Sequence, residues 1–181
     1  IESVKKYPVK NPLKKYLFIP QNFLERKKNQ KKLHISILDV DNTGLIDIVQ
    51  SIKNETVTKP KLCDPNDILI SCINPRKWRV VLVPEINFNF TCSPEFIVLR
   101  AKNPKEVKSI CLSLFSEHFK EKFINLGKGT SSSRQRVPKD IILDISLPPI
   151  KTSAKEALKF FERRKKYYLD RIEELNFLSR Y

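Results

Sequence analysis

The sequence predicts an α+β domain, a mixed α/β layout with one long helix at its C-terminal end. Six short runs rich in Ile, Val and Leu, set off by polar turn signals, point to strands. One internal and one terminal stretch space their apolar residues three and four apart, which points to helices. With 181 residues and 40% hydrophobic content, eleven Phe included, the chain can bury a real core.

Residues 1 to 30 form a basic entry segment. Extended to residue 32, it carries ten Lys or Arg against two Glu, a net of about +8. "LHISILDVDNTGLIDIVQSI" then reads as two strands joined by the turn Asp41-Asn42-Thr43-Gly44. "DILISCI", "RVVLV" and "EFIVLRA" read as three more strands. "NPKEVKSICLSLFSEHFKEKFINL" places Val107, Ile110, Cys111, Leu114, Phe115, Phe119 and Phe123 on one helical face, with Pro104 tolerated in the first turn. "IILDISL" reads as a last strand, stopped by Pro148 and Pro149. The domain so defined runs over 31–150, and residues 151–181 form an amphipathic helix. Ser153 with Glu156 makes the capping box that starts it. Leu158, Phe161, Lys165, Tyr168, Ile172 and Leu175 then alternate in steps of three and four, a heptad seam. A helix docked on its own domain would show the same stripe, but about 40 Å of helix would overrun a domain this small, so the seam is read as suited to a partner helix, either a second copy or another protein.

The formal charge of +15 favours a polyanionic partner, nucleic acid first. No apolar run approaches the roughly 18 residues of a membrane span, and no signal peptide is visible, so no membrane association is expected. The four cysteines, Cys63, Cys72, Cys92 and Cys111, are never spaced C-x-x-C, and three of them sit among Ile, Leu and Phe. Buried reduced thiols and a cytoplasmic protein follow. No zinc pattern joins them to His34 and His118. With Ile1 at its head and no Met anywhere, the sequence reads as a remnant or a piece of a longer product.

Two connections concentrate cations. Of the three glycines in the sequence, Gly127 and Gly129 fall in one loop, with Lys128, Ser131, Ser132, Ser133, Arg134 and Arg136. Glycines let a backbone approach closely, while hydroxyl and guanidinium groups donate to phosphate oxygens or, for Arg, to a guanine edge. The Walker pattern is absent. The second connection, Asn74-Pro75-Arg76-Lys77-Trp78-Arg79, sets Trp78 among Arg76, Lys77 and Arg79, a mix suited to stacking and phosphate contact. Composition alone fits an ordinary surface loop and a tight strand connection equally well.

The order of these pieces resembles a known family. "NDILISCINPRKWRVVLVP", "TCSPEFIVLRAKN" and "GTSSSRQRVPKDIILDISLPPI" follow one another as in the target recognition domain of type I restriction–modification specificity subunits, and of the related type IIG enzymes. Three departures stand out: a single recognition domain, "KTSAKEA" where Glu-Gln often follows Pro-Pro, and Trp78 where Gly is common. The resemblance implies a single target-recognition-type domain with a C-terminal spacer helix. It would read double-stranded DNA for a DNA adenine methyltransferase, a partner subunit or fused domain that uses S-adenosylmethionine. It puts Arg76, Lys77, Arg79, Lys128, Ser131, Ser132, Ser133, Arg134 and Arg136 on DNA. It makes the helix from Ser153 a spacer that sets the distance to a second domain or packs on the methyltransferase, while the seam residues Leu158, Phe161, Tyr168, Ile172 and Leu175 are the expected helix interface, a homodimer included. The alternative is a protein-interaction scaffold that uses the heptad helix and has only non-specific nucleic-acid affinity.

The chain itself is not expected to be an enzyme. An amino-methyltransferase needs an Asn/Asp-Pro-Pro-aromatic motif and a cofactor-binding glycine loop, and neither is present. Asp140 and Asp144 lack the Glu-x-Lys that a metal-dependent nuclease would add. No catalytic residue, metal ligand or cofactor is assigned.

Overall fold

The computed structural model describes residues 11–55, 59–129, 131 and 134–180. Along the chain come β1 (Leu17–Phe18), β2 (Lys32–Ile35), α1 (Ile48–Lys53), β3 (Lys61–Leu62), β4 (Ile68–Ser71) and β5 (Val80–Leu82). After them come β6 (Asn89–Cys92), β7 (Phe96–Ala101), α2 (Val107–Ser113), α3 (Glu117–Asn125) and α4 (Ala154–Leu178). The central sheet has the order β1-β7-β4-β5, antiparallel throughout. A smaller sheet, β2-β6-β3, pairs β2 parallel and β3 antiparallel to β6.

The central sheet is buried on both faces, which is why its strands read as continuous apolar runs. Ile68, Ile70, Ile97 and Leu99 point to one core with Ile110 of α2, Leu114 at its C-terminal cap, and Phe119 and Phe123 of α3. Leu69, Val81, Phe96 and Val98 point the other way, to Leu33, Ile35 and Phe90 of the smaller sheet. The period of two along each strand thus feeds two cores. All four cysteines are free and buried, Cys72 and Cys111 in the first core, Cys63 and Cys92 in the second.

The basic entry segment is integrated into the domain over its described part. Leu13 and Leu17 are fully buried, and β1 pairs with the end of β7. A partly buried ion network, with its carboxylates inside and its guanidinium groups partly in solvent, holds the rest. Asp67 takes Arg100 Nε at 2.7 Å, and Asp64 takes Arg100 at 2.8 Å and Arg26 at 3.1 Å. Leu24 N also donates to Asp64 Oδ2 at 3.0 Å.

Four predicted elements differ from the structure. The strand begun at Leu33 ends at Ile35, because Ser36 and Asp39 form a capping box that winds Ile37–Asp39 into a 3-10 turn. Its predicted partner contributes one bridge, Val40 with Ile46; Asp47 then caps α1 by accepting from Gln50 N. The internal helix breaks in two, since Ser116 accepts from Phe119 N and starts α3 afresh. And "IILDISL" is largely a 3-10 helix, Lys139–Asp144, with a single bridge from Ser146 to Pro12. Ile142 and Ile145 are buried three residues apart, the 3-10 repeat.

The terminal helix forms as predicted, with both halves of the capping box present. Its 25 residues span about 38 Å at 1.5 Å each. The apolar stripe, assigned from sequence to a partner helix, packs on this domain instead. Ala157 and Tyr168 are buried, Phe161 joins the first core, and Ile172 the second. Tyr168 Oη accepts from Ile46 N at 3.1 Å, and Arg164 donates to Thr43 O at 2.7 Å. Leu158 stays 47% exposed and Leu175 half-buried. A long helix does not overrun this domain, because it lies across both cores. Among the described residues, no helix is long and apolar enough to cross a membrane.

Candidate nucleic-acid interface

The first connection turns at Asn74, three residues past β4, whose φ of +48° and main-chain acceptance from Lys77 N at 2.9 Å close a tight turn. That geometry puts Arg76 and Lys77 at the tip, both exposed, and Arg79 half-buried. Burial holds the Arg79 guanidinium below its ordinary range. Trp78 is turned inward and only 5% exposed. It meets Phe119 and Phe123 edge-on, at 5.8 and 5.2 Å between ring centroids. The stacking platform expected there is therefore a core residue, and only the cations around it reach solvent. Beside them, Lys120, Glu117 and Glu121 line a cleft of about 520 Å³ with Arg76, Lys77 and Arg79.

The second connection folds back on itself. Lys128 and Arg136 exchange both main-chain hydrogen bonds at 2.9 Å, and Arg134 N donates to Ser131 O at 3.0 Å. Gly129 has φ +142°, and a Cβ there would lie 3.1 Å from Arg134 O, so the narrow neck suits glycine. Lys128, Ser131, Arg134 and Arg136 are exposed. Ser132 and Ser133 lie outside the described residues.

The structure brings the two connections together. Asn74 N donates to Gln135 O at 2.8 Å, and Val137 N donates to Cys72 O at 2.8 Å. Ile73 and Arg136 form an antiparallel bridge between these bonds. A short ribbon thus joins the loops at one end of the central sheet. Arg76, Lys77, Lys128, Arg134 and Arg136 sit on this shared frame, and Arg136 also reaches Glu95 Oε1 at 3.2 Å. The helix-interface set lies elsewhere, along α4, with Phe161, Tyr168 and Ile172 occupied by the domain's own cores.

Two cations that sequence reasoning left unassigned lie at the same sheet end. Lys139 Nζ donates to Pro94 O at 2.7 Å, and Lys61 Nζ to Phe96 O at 2.5 Å. No local pattern could link them, because they meet only through the pairing of β3 and β6 and the turn into β7.

No protein-family model and no curated protein matches the sequence significantly. Solved structures do match by shape. One is the HsdS subunit from Thermoanaerobacter tengcongensis, with TM-score 0.50 and 20% identity over 92% of this chain and 43% of that one. Another comes from work on assembly and conformational transition of the type I R-M system, with TM-score 0.52 and 19% identity over 95% and 46%. The chain therefore spans less than half the length of either neighbour. Over that span it shares its α+β fold, as expected, with these type I restriction–modification chains.

Proposed function

We propose that this chain is the DNA-reading module of a restriction–modification system. It holds a duplex for an adenine methyltransferase or endonuclease that resides in another subunit or a fused domain. The observation that carries this reading is the main-chain ribbon between residues 72–74 and 135–137, which fixes two cationic loops side by side. A rigid sheet end presenting loops of this kind separates holding from reading. Lysines and serine hydroxyls grip the phosphates, and an arginine at a loop tip can donate to a base edge. Arg134, exposed at the turn of the second loop, is the first candidate for base contact. The methyl donor, S-adenosylmethionine, belongs to the methyltransferase in this scheme.

Duplex binding should weaken steeply with salt, as each neutralised phosphate contributes a slope of about −0.9 in log K against log salt. Arg134→Ala should cost about 1–3 kcal/mol on a preferred sequence and less on others, whereas Lys77→Ala should weaken all sequences alike and flatten the salt slope by about one. Fluorescence anisotropy with labelled duplexes checks both. Unchanged binding in the two variants would remove these loops from recognition.

A further inference from the structure

The turn between β6 and β7 belongs to the same sheet end as the two loops, since Cys72 N donates to Glu95 O at 3.0 Å. Lys61 and Lys139 converge across it from segments far apart in sequence. Both line one groove of about 390 Å³, where Ile19, Phe23 and Leu62 supply apolar surface. Their partners, Phe96 O and Pro94 O, are neutral carbonyls. Among the described residues, neither lysine takes part in a salt bridge.

We infer that Lys61 and Lys139 together form a phosphate site, which takes one backbone phosphate of a duplex seated on the neighbouring loops. The inference rests on the DNA-reading function above and extends the interface from the loops onto the β6–β7 turn. Each ammonium has three donors, and a carbonyl engages one of them. A phosphate between the two would accept charge-assisted bonds from both and replace like-charge repulsion with attraction. The apolar flank of the groove strengthens that exchange by keeping the local dielectric low.

Occupation of this site is linked to protons. Burial first, and then the Lys139 ammonium, depress the Lys61 amine to about 8. The other groups that face it are the Cys92 and Cys72 thiols. Burial pushes Cys72 up to about 11, which keeps it neutral below pH 9. Glu95, next along, is paired with Arg136. A phosphate favours the ammonium and so raises the pKa of Lys61 in the complex. Binding then takes up a proton once the free amine has begun to lose its own, and affinity falls as pH rises.

The test is duplex binding at constant ionic strength across this range, with a labelled mixed-sequence duplex. For the wild type, affinity should drop by up to about tenfold between about pH 7 and 9. Lys61→Arg, charged throughout, should hold its affinity flat over the same range. Lys61→Gln should bind more weakly at neutral pH, show no pH dependence, and have a salt slope shallower by about one. Lys139→Gln, by removing the repelling charge, should shift the pH-dependent fall upward. If the wild type binds duplex with no pH dependence, or Lys61→Gln keeps wild-type affinity and slope, this site is refuted while the loop interface stands. If the wild type binds no duplex at any pH, the recognition function itself fails and takes this site with it.

Discussion

Gly44 shows how much one position can carry. Its φ is +76°, and a Cβ there would lie 2.2 Å from Val80 O, so the turn from Asp41 can touch β5 only with glycine. The sequence announces this turn plainly, through "DNTG". Asn66, two residues before β4, lies in the left-handed region at φ +68°, where Asn is tolerated in place of Gly. Trp78 was not legible in the same way. Its neighbours in sequence are cations, while the rings that enclose it, Phe119 and Phe123, lie some forty positions on. Likewise, nothing local marks Asp67 as fully buried against Arg100. Asp67→Ala should lower stability by about 3 kcal/mol, because it strands part of a guanidinium charge. Arg100 keeps partial solvent contact, which holds the loss to the low end of such changes. Urea unfolding checks it.

Among the elements, the terminal helix was legible in extent and start but not in what it packs against. Period and capping box are local properties, whereas a docked helix and a partnered one share the same apolar stripe. What decides is the surface beneath, here the two cores that Tyr168 and Phe161 meet. This sets two substitutions apart. Ile172→Asp puts a carboxylate against the second core and should cost about 2 kcal/mol. Leu158→Asp, on an exposed position, should fall within about 0.5 kcal/mol of the wild type. Thermal melts of the pair check the docking. The 3-10 helix over Lys139–Asp144 escaped notice for a related reason. A short apolar run fits a strand or a tight helix, and only the neighbouring chain settles which.

For the molecule as a whole, the order of motifs carried the fold, because it tracks the succession of strands and loops rather than any one contact. The siting of charge was only half visible. The excess of +15 is a property of composition, but the meeting of Arg76, Lys77, Lys128, Arg134 and Arg136 at one sheet end depends on the ribbon between residues 72–74 and 135–137. Cooperativity also belongs to this scale. The terminal helix touches both cores, so they should open as one unit. The buried thiols provide the readout: Cys111 is pushed up to about 12 and Cys63 well above its ordinary range, so the folded protein should react with a thiol reagent only through opening. All four should then be modified in a single kinetic phase. Two separate phases would show that the helix does not couple the cores.

Those hidden sulfurs also leave the outside of the protein silent to maleimide chemistry. A lone cysteine introduced at Ser131, exposed in the second loop, would therefore carry a fluorophore without background. A dye there would sit near Arg134 and report the arrival of a duplex, with no native cysteine needing to be removed first.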